Sequence, residues 1–97
     1  MCLGYPAVVL EVNYDEMTAV VDYGDGVPRK VLLGISTERV SRGDLVIVHA
    51  GVIVTKVGIE ELLEQVEFFR ETLGEDAEHL VKSYYYLIEK SKSIREV

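Results

Sequence analysis

The sequence of 97 residues has no tryptophan, two phenylalanines and one cysteine, Cys2. A single cysteine excludes an intramolecular disulfide, so the thiol is expected in a reducing compartment, where it is free to do chemistry. The length leaves room for one domain with a modest core and excludes a multidomain enzyme. Any function must therefore use a small surface.

Positive charge is also scarce. Ten Lys and Arg residues against seventeen Asp and Glu give a formal net charge of -7, which repels phosphate backbones, so nucleic acid is not expected as a partner. The apolar runs are too short to span a bilayer, and no basic region followed by an apolar stretch opens the chain. We therefore expect no membrane segment and a cytoplasmic protein.

The chain does contain many short Val, Ile and Leu runs separated by turn residues. Five strands are predicted, over residues 7–12, 18–23, 29–33, 45–49 and 52–57. Short strands in so small a unit bury their edges best by curling into a barrel. We expect a mainly β protein with a C-terminal α part: an OB-like five-stranded β-barrel over residues 1–57, which includes an N-terminal cysteine arm, and then one or two helices.

Residues 58–97 form the predicted amphipathic helical segment, because the apolar period changes there from two to about 3.6. Gly74 is a natural helix stop, and a second helix is expected near Glu75 or Asp76. The stretch from Ser91 is polar and expected to fray. The apolar stripes are Ile59, Leu62, Leu63, Val66, Phe69 and Leu73 in the first helix, and Ala77, Leu80, Val81, Tyr84, Leu87 and Ile88 in the second.

Cys2 is the first candidate for chemistry. If Met1 is removed, the adjacent α-amino charge favours the thiolate, which is a nucleophile and a soft metal ligand. An equal alternative is that Cys2 is a small hydrophobe packed at the edge of the barrel.

His49 ends an apolar strand just before Ala50 and Gly51, where an imidazole could bind metal or move a proton. Taken alone, a histidine that makes a local hydrogen bond at a strand end is the favoured interpretation. His79 is expected to be solvated. Of the consecutive tyrosines 84–86, one ring is expected in the core and two partly exposed, although a docking surface is the alternative.

Known catalytic and metal-binding patterns are missing from the sequence. One thiol and two imidazoles cannot close a four-ligand zinc site, so any metal must be shared with a partner. No Ser/His/Asp set or phosphate-binding glycine loop is present, and a Cys2/His49 dyad lacks a visible orienting group. An enzyme is not expected.

Three motifs occur in order along the first half of the chain. They are Met1-Cys2-Leu3-Gly4-Tyr5-Pro6-Ala7, Val21-Asp22-Tyr23-Gly24 and Gly43-Asp44-Leu45-Val46-Ile47-Val48-His49-Ala50-Gly51. They resemble the patterns M-C-[LI]-[AG]-x-P-[GA], V-D-[FY]-G and G-D-[YW]-V-L-V-H-x-G of the HypC/HupF [NiFe]-hydrogenase maturation chaperones.

The resemblance implies an OB-like barrel with a C-terminal helix, and a role in assembling the Fe(CN)2CO part of the [NiFe] cofactor. Implied partners are a HypD-like iron-sulfur protein and the hydrogenase large-subunit precursor, with a possible larger complex containing HypE. Cys2 matches the essential cysteine of the family and His49 the histidine near it. Iron would be held transiently by Cys2 and His49 and shared with the partner. Partner contacts are expected at Cys2, Leu3, Pro6, His49 and Gly51.

Three residues differ from those most common in the family: Ala7 stands where glycine is common, Val8 where Lys or Arg is often found and Val52 where Phe is frequent. The part beyond Gly74 is longer than in many members, so we expect it to govern stability or client choice rather than iron chemistry. Its stripe could cover the first helix, the barrel, a second copy or the client. The alternative from another class is a small-barrel interaction adaptor in which Cys2 never binds metal.

Overall fold

A computed structural model of the chain describes residues 4–34 and 39–95. The five strands are β1 (Tyr5–Asn13), β2 (Thr18–Asp22), β3 (Pro28–Leu33), β4 (Leu45–His49) and β5 (Val52–Lys56). They form a closed barrel in the order β1-β2-β3-β5-β4. The expected five-stranded, OB-like barrel is confirmed, and each strand lies within two residues of its predicted bounds.

Strand β1 lies between β2 and β4 and pairs antiparallel with both. Most other pairings are also antiparallel, and the barrel is closed by a short parallel pairing of β3 with β5, at Leu32 opposite Val52 and Leu33 opposite Ile53. Closure gives every strand a hydrogen-bonded neighbour on both sides, whereas an open sheet leaves two edge strands with only one.

The side chains on the two faces of β1 belong to two different hydrophobic cores. Ala7 and Val9 point into the barrel, whose interior is filled mainly by valines from β1 to β4, together with Ile53 of β5. Val8, between them, points outward and packs with Leu45 beneath the helices. This alternation follows from the period of two in a strand, and it explains why residues 6–9 read as a continuous apolar run although they form a strand.

Two helices follow the barrel, α1 (Ile59–Leu73) and α2 (Glu78–Arg95), joined by a 3-10 turn at Gly74–Ala77. The Glu61 carboxylate accepts a hydrogen bond from the backbone N–H of Gly58 at 3.1 Å, which caps the start of α1. Gly74 has a φ of 59° and ends α1, as predicted.

The helices cover the outer face of β1 and β4 and share one core with it. Most of the predicted stripe residues take part in this core, but Leu63, Leu73 and Leu80 are exposed. The prediction of a fraying end from Ser91 is wrong: α2 continues to Arg95, with Ser91 and Ile94 buried. The polar residues from Ser91 onward suggested a solvated helix end, but the side chains of Ser91 and Arg95 form hydrogen bonds to the barrel. The surface that α2 covers is therefore the barrel together with α1.

Candidate functional site

The last residues of the first motif form the start of β1. Cys2 and Leu3, the leading candidates for iron binding and partner contact, lie outside the described residues. Pro6 is buried and stands opposite Ile47 of β4, while β1 pairs with β2 only from Val8 onward. A proline can therefore occupy this position without interrupting a ladder on the β2 side.

Gly4, the first described residue, lies against the end of β4. A Cβ at this position would collide with the carbonyl oxygen of Val48. The next residue, Tyr5, stands opposite Val48 in the β1–β4 register. The point at which the cysteine arm joins the barrel is therefore packed against the residue that precedes His49.

His49 is the last residue of β4, and its side chain is exposed. Ala50 and Gly51, with φ values of 51° and 79°, form the two-residue turn that leads to Val52, which stands opposite His49. Positive φ at both turn positions is typical of the type I′ hairpin. For Ala50 it costs about 1 kcal/mol, and such strain is common beside functional residues. The predicted place of His49 is confirmed; its role as an iron ligand stays a prediction.

The other end of the third motif is a structural junction. Asp44 is buried; its carboxylate accepts a hydrogen bond from the backbone N–H of Ser41 and pairs with the Arg95 guanidinium and the Lys56 ammonium. The carbonyl oxygen of Gly43 accepts hydrogen bonds from the Ser91 hydroxyl at 2.6 Å and from Arg95 Nε at 3.2 Å. The Gly-Asp pair thus fastens the end of α2 to the start of β4.

The second motif is a junction of the same kind. The Asp22 carboxylate is buried and accepts hydrogen bonds from the backbone N–H groups of Gly24 and Gly26, at 2.7 and 3.1 Å. It also accepts one from the Tyr86 hydroxyl at 2.8 Å. This bond raises the pKa of Tyr86, with burial a smaller cause. Sequence reasoning assigned these aspartates no role, although Asp-x-Gly-x-Gly is a recognisable turn signal for Asp22.

His79 and the three consecutive tyrosines show the burial that the sequence predicted. His79 is exposed on α2, away from His49 along the chain. Tyr84 is buried, Tyr85 is exposed and Tyr86 is partly buried, which confirms one ring in the core and two partly exposed. Within residues 4–34 and 39–95, no three His, Asp or Glu side chains come together in a group that could hold a metal.

In the described part of the chain, neither helix is both long and apolar enough to cross a bilayer.

Comparison with known proteins agrees with the motif pattern. Residues 1–69 match the model of the HupF/HypC family. A protein of Helicobacter hepaticus named hydrogenase maturation factor HypC is 36% identical over 73 residues, which cover 75% of this chain and 83% of that protein. The matched family region therefore contains the barrel and most of α1, whereas α2 lies beyond it.

Proposed function

The chain belongs to the HupF/HypC family, and on that premise we propose that it is a hydrogenase maturation chaperone rather than an enzyme. It binds a HypD-like iron-sulfur partner and the precursor of the hydrogenase large subunit, and it helps assemble and deliver the Fe(CN)2CO centre through Cys2. Iron is cargo here, shared with the partner and not kept.

The β1–β4 pairing is the observation that carries this proposal. Tyr5 opposite Val48 puts the root of the cysteine arm and the His49 turn at the same end of neighbouring strands. Two family motifs that are far apart in sequence thus meet at one end of the barrel, where Tyr5, His49 and Gly51 are exposed. Pro6 is buried at the same end. Pro6 and Gly51, with Leu3, are the proposed partner contacts.

The chemistry of the two side chains supports different roles. A thiolate is the softer ligand and suits low-spin iron that carries CO and cyanide, so Cys2 is the primary ligand. The imidazole of His49 orients or completes the site. A coordination sphere shared with a partner can be exchanged between proteins, as delivery requires. The single thiol and the acidic composition are consistent with a protein that acts in the cytoplasm and binds protein partners. HypE is a possible further member of the complex.

The test compares Cys2→Ala and His49→Ala with the parent chain, and His79→Ala is the matched control because it removes an exposed imidazole from α2. Each chain is co-purified with a HypD-like protein, the complex is analysed for iron, and hydrogenase maturation is measured in cells. We expect Cys2→Ala to abolish iron loading and maturation with an unchanged circular dichroism spectrum. His49→Ala should lower iron occupancy by about 10-fold, and His79→Ala should have no effect.

Normal maturation with Cys2→Ala would refute the proposal. The adaptor alternative is separated by thiol labelling of the complex, since a cysteine bound to iron is protected and a bystander is labelled at the rate of a free thiol. Equal losses in Cys2→Ala and His49→Ala would show that both side chains are primary ligands.

A further inference from the structure

A groove of about 970 Å³ lies between the start of β1 and the two helices. Its floor is aromatic: Phe69 of α1 meets Tyr84 of α2 edge to face, with ring centroids 5.6 Å apart. At its rim, the side chains of Tyr5 and Phe68 are 75% and 61% exposed. So much exposed aromatic surface around one concavity is typical of a binding site rather than of an ordinary surface.

The charges beside the groove are predominantly negative. Glu61 and Glu64 line it, and α1 as a whole carries five glutamates and one arginine in its 15 residues. Arg29 also lines the groove, but its guanidinium is paired with Asp25 at 2.8 Å. The potential over the aromatic floor therefore favours a cationic ligand.

We propose that this groove docks a segment of the hydrogenase large-subunit precursor in which Lys or Arg residues flank large apolar side chains. The apolar side chains enter between Phe68 and Tyr84, and the cationic groups lie over Glu61 and Glu64. A second copy of this chain is a poor occupant, because each copy carries a net charge of -7 and the same acidic groove.

Two features assign the groove to the precursor rather than to a partner common to the whole family, and this assignment rests on the proposed function. One wall consists of Leu80, Ser83 and Tyr84, which lie beyond residues 1–69 matched by the family. Gly4, Tyr5 and Pro6 form the opposite side, so a docked segment lies beside the root of the Cys2 arm. Docking here would hold the client next to the residue proposed to deliver iron.

The test measures binding of fluorescent 15-residue peptides that tile the large-subunit precursor, by anisotropy, at low and high salt. Phe68→Ala removes apolar rim surface, and Leu32→Ala is its control because Leu32 is 55% exposed on the barrel. Glu64→Lys reverses a groove charge, and Glu89→Lys makes the same change in net charge on the exposed side of α2. All four side chains are exposed, so the fold should be retained, which circular dichroism verifies.

We expect a peptide rich in basic and apolar residues to bind, more weakly at high salt. Phe68→Ala and Glu64→Lys should each weaken binding by about 10-fold, as expected for the few residues that carry most of the binding energy, while both controls bind like the parent. Equal losses with Glu64→Lys and Glu89→Lys would show only general charge attraction and would overturn the proposal. Failure of every peptide to bind would also overturn the proposal. So would the finding that the parent chain forms a dimer and that Phe68→Ala dissociates it.

Peptide docking in the groove and iron delivery through Cys2 can fail independently of each other. Cys2→Ala should bind the peptide with unchanged affinity, because the proposed binding depends on the aromatic and acidic side chains that line the groove. If the groove variants bind the peptide normally while Cys2→Ala still loses iron, the groove assignment fails and the maturation role stands. If Cys2→Ala matures hydrogenase normally while the groove variants lose the peptide, the docking surface stands and the iron role fails.

Discussion

At the scale of single residues, buried carboxylates connect the family motifs to the helix that the motifs do not include. Asp22 receives two backbone hydrogen bonds within its own turn and a third from Tyr86, 64 positions later in the chain. Hydrogen bonds to a charged group are stronger than neutral ones, and an unmatched buried carboxylate is costly. Tyr86 therefore stabilises the motif turn as well as α2.

We predict that Tyr86→Phe lowers the free energy of unfolding by about 1–2 kcal/mol, since one charge-assisted hydrogen bond is lost and two remain on Asp22. Tyr85→Phe is the control, because Tyr85 is exposed on the same helix. Urea unfolding followed by circular dichroism measures both. A loss with Tyr85→Phe as large as with Tyr86→Phe would contradict the role assigned to the Asp22 bond.

The same bond makes stability depend on pH in one direction. Because the folded state raises the pKa of Tyr86 above its usual value of 10.0, the stabilisation is fully present below about pH 10. It is lost as pH rises through the folded-state pKa. The difference in stability between the parent and Tyr86→Phe should therefore be constant from about pH 7 to 9 and shrink above about pH 10. A difference that grows with pH would reverse the sign of this linkage.

At the scale of elements, α2 is held to the barrel at its far end as well as along its apolar face. Ser91 is buried and donates to the carbonyl oxygen of Gly43, and Arg95, one turn later, binds both Gly43 and Asp44. These contacts order the last turn of a helix whose end would otherwise be expected to fray.

We predict that Ser91→Ala costs about 1 kcal/mol, because the carbonyl oxygen of Gly43 loses its shorter hydrogen bond. Ser93→Ala, two residues further on an exposed position, should be neutral or slightly stabilising, since alanine has the higher helix propensity. Amide exchange over the last turn of α2 should be faster in Ser91→Ala only. Unchanged exchange in that variant would show that Arg95 alone holds the end of the helix.

At the scale of the whole molecule, the barrel and helices share a core. Val8 and Leu45 from the strands pack in one buried cluster with Leu62 from α1 and Leu87 from α2. The division into residues 1–57 and 58–97 remains a prediction from sequence pattern. A shared core predicts that the two parts unfold together.

We therefore expect Leu87→Ala, which truncates a fully buried side chain, to lower stability by about 3 kcal/mol. The protection of β4 amides against hydrogen exchange should fall by as much as that of α2 amides. Leu73→Ala, at an exposed position of α1, is the control. If α2 loses protection while β4 keeps it, the helical segment unfolds as a separate unit.

The sequence by itself determined the local structure and the family. Short apolar runs separated by turn residues predicted all five strands, and the change of period after Gly58 predicted α1 and its end at Gly74. These features depend on near neighbours in the chain, so they can be read without knowledge of the fold. The three motifs likewise identified the HupF/HypC family that residues 1–69 match.

Tertiary structure alone decided which distant residues meet. Nothing near Ser91 in sequence shows that it donates to Gly43, and nothing near Tyr86 shows that it bonds Asp22. The groove beside Phe68 was equally hidden, because its opposite side is formed by Gly4, Tyr5 and Pro6, which are distant in sequence. Long-range contacts depend on how the closed barrel presents its outer face to the helices, and that geometry is a property of the whole chain rather than of any short segment.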